Sequence, residues 1–432
     1  MEMPSVLIKD AQFPSPFAAG LLYSVPARGG WTIVHVGMLL PEAHEIFVCA
    51  AGCLRGVVLS AAEMNLTDRF STVAIEEKNV LQGDMEELII DGAADILNRL
   101  PHLPKAVLLY SSCIHHFTGC DISMCLGVLR KKFPSVDFAD CEMTPTMRKS
   151  GYTPDELMRL KLYSLIKPKE KKEKHCMIAG NCFSLLGTCD IKKLLSSFGW
   201  TAHEITECNT YEEYQEMAAC TLCICMLPSA KKGAMELSRR LNMKFLYLPF
   251  CYGKEEIRRN LFALADAIGA EYDGGAFMEE ASETALLRAK EVIGDTPVAI
   301  DYTFTPRPLG LARMLKEHGF NVKKLFLDSM SMEEKEDFEW LKEHAPCIVI
   351  CPAEHAAMRK YPAGEEGKWL ALGQKAAFFT QSPHFVNLVE NGGLYGFDGT
   401  AHLAMLMEEA FNVPKDIEKT IEIKGLGCES CL

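Results

Sequence analysis

Short apolar runs alternating with helix-period segments constrain this chain more than any other feature. Extended pieces at Ile46 to Val48 and Arg69 to Ile75 precede a segment that Asp84 caps, with Leu88, Ile89, Ala93, Ile96 and Leu97 at helical spacing. Pro101 and Pro104 stop that helix. The run Ala106 to Tyr110 then reads as a strand, Ile122 to Lys131 as a helix, and Val136 to Ala139 as a strand running on to Cys141. Thr153-Pro154 starts a helix over Asp155 to Ile166. Strand and helix in alternation predict a parallel sheet.

The pattern restarts twice. Lys167 to Lys174 (KPKEKKEK) has no apolar residue and reads as an exposed linker. Beyond it, strands at His175 to Ala179, Thr201 to Thr206, Thr221 to Met226 and Phe245 to Pro249 alternate with helices at Asp190 to Phe198, Tyr211 to Ala218, Ala230 to Leu241 and Lys254 to Ala267. From Pro297 the alternation resumes, with strands at Val298 to Tyr302, Asn321 to Phe326 and Cys347 to Cys351. Its helices fall at Leu309 to His318 and Met332 to His344, and a loop-rich stretch from Pro383 to Asp398 leads to a closing helix over Gly399 to Phe411. Residues 1 to about 45, with Pro14, Pro16, Pro26 and the Arg28-Gly29-Gly30 turn, read as an irregular arm ending in a short strand at Trp31 to Val36. The expectation is an α/β chain of three Rossmann-like domains, 1–170, 171–294 and 295–432, with mostly parallel sheets around a central cleft.

The charge balance narrows the function classes. A net charge of −13 leaves no basic excess to neutralise phosphates, which argues against nucleic-acid binding. No apolar run approaches the roughly 20 residues that cross a bilayer, and the N-terminus lacks the basic-then-apolar pattern of a signal peptide. A cytoplasmic protein with no membrane contact is expected, its 18 cysteines reduced rather than paired. Most of them read as small buried hydrophobes.

A few cysteines stand apart. Cys113 follows Ser111 and Ser112 at the carboxyl end of an apolar run, in the stretch LLYSSCIHHFTGCDISMC, where open α/β sheets keep their chemistry. Cys120, Asp121 and Cys125 come next. Cys49 and Cys53, in IFVCAAGCLRGVV, share the context of apolar run, cysteine and glycine. Two strand ends offering thiolates beside small residues suggest the walls of a metal-cluster site. Cys125 reads as packing, and Cys220, Cys223 and Cys225 alternate along a strand, where period-two burial explains the last two. His115 and His116 flank the loop, either as donors to a sulfide or substrate or as backbone-satisfied loop residues. The terminal Cys428-Glu429-Ser430-Cys431 has no second CxxC to make a zinc ribbon. Gly180 to Gly187 lacks dinucleotide spacing, and Gly364 to Trp369 misses the P-loop pattern, so the chain is not expected to hydrolyse ATP itself.

Taken together, these features resemble the nitrogenase component 1 family. The resemblance is carried by Gly52-Cys53, by Glu77-Lys78-Asn79-Val80 with Gly83, Glu86, Glu87 and Leu88, and by Ser112-Cys113 through Gly119-Cys120-Asp121-Ile122. Gly396-Phe397-Asp398-Gly399 carries it further, resembling the family's glycine-aromatic-aspartate-glycine loop. The resemblance implies an oxidoreductase in which Cys53 and Cys113 hold an iron–sulfur cluster (4Fe-4S, or larger and P-cluster-like) bridging two subunits. The partner would be a second copy or a homologous subunit, and an ATP-hydrolysing iron protein would supply electrons to a substrate bound between domains. An assembly scaffold for a complex iron–sulfur cofactor is the alternative. The N-terminal arm has no cysteine, although family members with the full bridging cluster usually draw one from it. Cys49 is the obvious substitute, and Cys120, standing where an aspartate is usual, is another. Tyr395 stands where the catalytic alpha subunit has its cofactor histidine, and Cys225 lies only near the cofactor's other ligand, so a nitrogen-fixing site is not expected.

Overall fold

Parallel strands need crossover connections, and the helical segments between the apolar runs supply them. The structure is a computed structural model in which residues 5–27, 29–143, 152–272, 274–361 and 364–423 are described. Cys428 and Cys431 lie outside the described residues, as does Arg28.

The first sheet grows out of the N-terminal third. After β1 (Val6–Leu7) and α1 (Ile33–Met38), β2 (Ala43–Ala50) passes directly into α2 (Ala51–Glu63). Then come β3 (Phe70–Ile75), α3 (Glu77–Gln82), α4 (Met85–Arg99), β4 (Ala106–Ser112), α5 (Cys113–Thr118), α6 (Ile122–Lys132), β5 (Asp137–Met143) and α7 (Pro154–Ser164). The order is β3-β2-β4-β5, all parallel. Phe47 of β2 is opposite Tyr110 of β4, and their rings stack with centroids 4.0 Å apart. Thr153 and Glu156 form the capping box that starts α7.

The expected strand at Trp31 to Val36 is instead the entry to α1. Its β-branched residues suit a strand, but Thr32 and His35 cap each other's backbone groups across three residues, and that local closure nucleates a helix. Close packing fixes it in place: a Cβ on Gly37 would lie 2.1 Å from Glu45 Oε1 and 2.5 Å from the Tyr110 hydroxyl.

The middle stretch holds β6 (His175–Ala179), α8 (Asp190–Ser197), β7 (Thr201–Glu204), α9 (Tyr211–Glu216), β8 (Leu222–Cys225), α10 (Pro228–Arg240), β9 (Lys244–Tyr247) and α11 (Lys254–Ile268). Its order is β7-β6-β8-β9, again parallel. All four residues of β8 are buried, because helices cover both faces; burial there does not alternate with period two. An 18-residue helix, α12 (Ala276–Ile293), follows and lies against the later helix Gly396–Asn412.

The third sheet comprises β10 (Pro297–Asp301), β11 (Asn321–Phe326), β12 (Val349–Cys351), β13 (Leu370–Leu372) and β14 (Phe385–Val386). Its helices are α13 (Pro308–Glu317), α14 (Lys335–His344), α15 (Gln374–Thr380) and α16 (Gly396–Asn412). The order is β1-β12-β11-β10-β13-β14, with only β1 antiparallel. The stretch Gly396-Phe397-Asp398-Gly399 is the first turn of α16 rather than a loop. The Asp398 N–H donates to Asp190 Oδ2 (3.0 Å) and the Thr188 hydroxyl donates to Asp398 Oδ2 (2.8 Å), tying α16 to the middle sheet.

Each sheet has one point where the chain order reverses: β2/β4, β6/β8 and β10/β13. A crevice opens outside the carboxyl ends of such a pair. The first and second sheets share one apolar core that includes Phe47, Tyr110, Met177 and Ile224. The outer face of the first sheet has its own core around Ile89, Leu109 and Leu129. Among the described residues no helix is long and apolar enough to cross a membrane.

Candidate functional site

The reversal at β2/β4 gathers the thiols singled out in the sequence. Cys49 is the penultimate residue of β2 and fully buried. Cys53 is the third residue of α2 and exposed, and Cys113 opens α5 at the end of β4, partly exposed. None of the three stands on a loop, because both strands turn straight into helices. Burial, with the nearby Cys53 and Cys113 thiols, pushes the Cys49 thiol up to about 11. Cys49 therefore lies within electrostatic reach of each of the other two thiols.

Cys120 is placed differently. Its thiol lies beside Cys125 and Glu86, and burial, followed by the Glu86 carboxylate, pushes it up to about 12. Cys125 is buried and directs its thiol toward the Glu86 carbonyl, 3.8 Å away. The helix cap is Asp121, whose Oδ1 accepts the Met124 N–H at 2.9 Å. Among the described residues no three His, Cys, Asp or Glu side chains converge closely enough for a single metal ion. One ion draws its thiolates to about 2.3 Å. A multi-iron cluster spreads them over different irons, and the donor set here, all cysteine, fits that second kind of group.

The surroundings leave room on this face. A Cβ added to Gly52, Gly56, Gly83 or Gly119 would meet nothing within 4 Å. Leu81 (78% exposed) on α3 and Phe117 (73%) on α5 follow the carboxyl ends of β3 and β4, at the same end of the sheet. His115 is buried and its Nδ1 accepts the Ser112 N–H at 3.0 Å, so the neutral ring carries its proton on Nε2, which has no partner. Burial lowers its pKa.

Other sequence candidates resolve into packing. Cys220, Cys223 and Cys225 are all buried in and around β8. The Tyr395 hydroxyl accepts from Asn260 Nδ2 at 2.8 Å and is otherwise enclosed, so it is committed to the protein.

A second feature escaped the motif reading. A cavity of about 890 Å³ lies where the carboxyl ends of the third sheet face α1 and α2. Trp31, His35, Arg55, Gln374 and Lys375 are among its walls. Trp31 stacks on His35 with centroids 4.7 Å apart and also meets Phe183. Buried Lys375 donates to the Tyr302 hydroxyl at 2.7 Å and pairs with Glu354. The sequence signal was faint: an apolar run, Leu370 to Leu372, closed by Gly373. The helix α2 joins the two places, with Cys53 in its first turn and Gly56, Leu59 and Ser60 in the cavity wall. Cys53 and Ser60 are about 10 Å apart along the helix axis.

Three reversal points, with thiols at the first and a cavity beside the third, define a three-sheet α/β architecture. A family model described as nitrogenase component 1 type oxidoreductase matches residues 34–405, and the chain belongs to that family. Its members are oxidoreductases that bind iron–sulfur clusters and work as oligomers with an iron-protein partner. Two solved structures, described as nitrogenase Cp1 at pH 6.5 and at pH 5, share the fold. The first has a TM-score of 0.68 at 14% identity, covering 92% of this chain and 94% of that one. The second has a TM-score of 0.58 at 14% identity, covering 94% and 93%. No curated protein sequence matches.

Proposed function

We propose that this chain is an iron–sulfur reductase subunit whose cluster is held by Cys53, Cys113 and Cys49 at a contact between two subunits. The observation that supports this reading is the position of those three thiols at one strand reversal, with Cys49 near each of the other two and exposed apolar side chains at the same end of the sheet. When bound, such a cluster supplies single low-potential electrons. The thiols hold and neutralise it, since a cation in their midst reverses the unfavourable ionisation of Cys49. Cys120 would join the set only by turning away from Cys125 and Glu86. Leu81 and Phe117 offer the partner subunit, a second copy or a homologous chain, apolar surface that keeps water from the thiols. An iron protein that hydrolyses ATP would deliver the electrons. The substrate would occupy the cavity at the far side of α2.

Anaerobic purification tests this directly. The wild type should be brown, with several irons and sulfides per dimer and a paramagnetic signal on reduction. Cys113→Ala should lose most of the iron, while Cys223→Ala, a buried core thiol, should keep it. A colourless wild type, or a Cys113→Ala protein with unchanged iron, would sink the proposal. Cluster content without reductant-dependent turnover would turn the reading toward an assembly scaffold.

A further inference from the structure

Histidine is the side chain whose charge ordinarily changes between pH 5 and 8, so two of them in contact form a group that senses pH. His175 opens β6, and His203 stands on β7, the edge strand of the middle sheet. Met177 of β6 is the register partner of His203, so His175, two residues earlier, projects from the same face. His175 Nδ1 and His203 Nε2 are 2.8 Å apart, and the ring planes are within 17° of parallel. The ring centres are 5.1 Å apart, which is that N···N distance plus one ring radius at each end. The two nitrogens therefore face each other along the line of centres, edge to edge.

Ring nitrogens approach so closely only with a proton between them, one ring donating and the other accepting. The bond survives one further proton, which the donor ring takes on its outer nitrogen. It fails when both rings are imidazolium, because two N–H groups of like charge would then face each other. The pair thus accommodates one positive charge but not two.

The surroundings set the sign. Lys172, from the segment ahead of β6, disfavours charge on His203, whereas Glu207 beyond β7 and Glu216 of α9 favour it. Those two carboxylates are already matched, Glu207 by Lys192 and Glu216 by Lys169 and Lys172. Lys174 is turned away and donates to the Phe198 carbonyl at 3.1 Å, and Glu204 pairs with Lys192. Burial first, then His175 and Lys172, lower the His203 pKa. A lowered folded-state value means that the stability it brings is complete above the ordinary 6.5 and is lost as pH falls below it.

The edge strand carries more than itself. Glu204 Oε2 accepts the Leu185 N–H at 3.1 Å, and the Ser184 hydroxyl donates to Thr206 Oγ1 at 2.9 Å. Phe183, in the same turn, meets Trp31 at the cavity. We propose that the His175–His203 pair is an acid-operated latch. It holds β7, and through β7 the turn at 183–185, on the middle sheet while it carries no more than one charge, and it releases that strand when both rings are protonated.

Hydrogen–deuterium exchange of the full chain tests this, read by mass spectrometry over 201–207 and 222–225 from pH 8 to pH 5 and corrected for the intrinsic pH dependence of amide exchange. Protection over 201–207 should fall as pH drops below the ordinary histidine value, approaching about tenfold per pH unit where the released strand binds one proton more. Protection over 222–225, in the interior strand β8, should stay flat. His203→Gln keeps a group able to bond His175 Nδ1 but removes the second charge, so its protection over 201–207 should not vary with pH. If that variant fails to fold, His175→Gln asks the same question from β6; if neither folds, the wild-type contrast between the two peptides decides. Wild-type protection over 201–207 that is flat with pH, a fall that 222–225 shares, or a fall that the glutamine variant retains would overturn the proposal.

Discussion

Glu334 is 1% exposed, and its Oε1 accepts the Leu309 N–H at 2.7 Å and the Gly310 N–H at 3.3 Å at the start of α13. Burial nonetheless raises its pKa from 4.5 to about 7, outweighing Arg307 and those two N–H groups. A raised folded-state value means that its contribution to stability is complete below pH 4.5 and is lost as pH rises through 7. The span corresponds to about 3 kcal/mol. Glu334→Gln keeps the acceptor and removes the titration. Thermal unfolding of variant and wild type should therefore coincide near pH 4.5, and the variant should unfold at higher temperature at pH 8. Equal curves at both pH values would show that the carboxyl is not held neutral. Cys49 obeys the same physics at the candidate centre: burial and two neighbouring thiols disfavour its charge, and a bound cation restores it.

At the scale of elements, the junction of β13 and α15 is tightly built just before the cavity-lining Gln374 and Lys375. Gly373 has φ 109°, and a Cβ there would come within 2.3 Å of Asp301 Oδ2. That carboxylate is fixed by the Thr303 N–H (2.8 Å), the Thr303 hydroxyl (2.6 Å) and the Ala376 N–H (2.7 Å). Gly373→Ala should cost about 3 kcal/mol or more, part backbone strain and part disrupted buried bonds, visible as a lower unfolding temperature. A wild-type melting curve would contradict this account of the turn. This junction also marks the limit of sequence reading. Long, strongly periodic elements were legible: the strand over Asn321 to Phe326 and the helix from Lys254 fall where the pattern put them. The three-residue β13 and two-residue β14 are too short for periodicity to register, and α1 hid behind β-branched residues. The thiols were legible because a cysteine at a strand end is conspicuous. Trp31, His35 and Gln374 were not, since only folding brings them into the walls of one cavity.

Across the whole molecule, the reversal points divide the labour. The middle one, β6/β8, is filled by protein: buried Arg159 bonds Cys182 Sγ at 3.2 Å and the chain closes over it. The first stays open at the surface and the third opens into the cavity, with α2 running between them. An open thiol site needs a lid, because water and oxidants reach exposed cysteines readily. Among the described residues Leu81 and Phe117 are both largely exposed at the same end of the first sheet. If a second subunit supplies the cover, charge placed there must both weaken association and bare the cluster. Leu81→Glu with Phe117→Glu should shift the protein toward monomer in sedimentation equilibrium. The same preparation should lose iron, although neither residue bears a donor atom, and the far-ultraviolet circular dichroism should be unchanged because both side chains project from the fold. A double variant that dimerises like wild type and keeps its iron would place the subunit contact elsewhere, and would leave exposed Cys53 and partly exposed Cys113 without that cover.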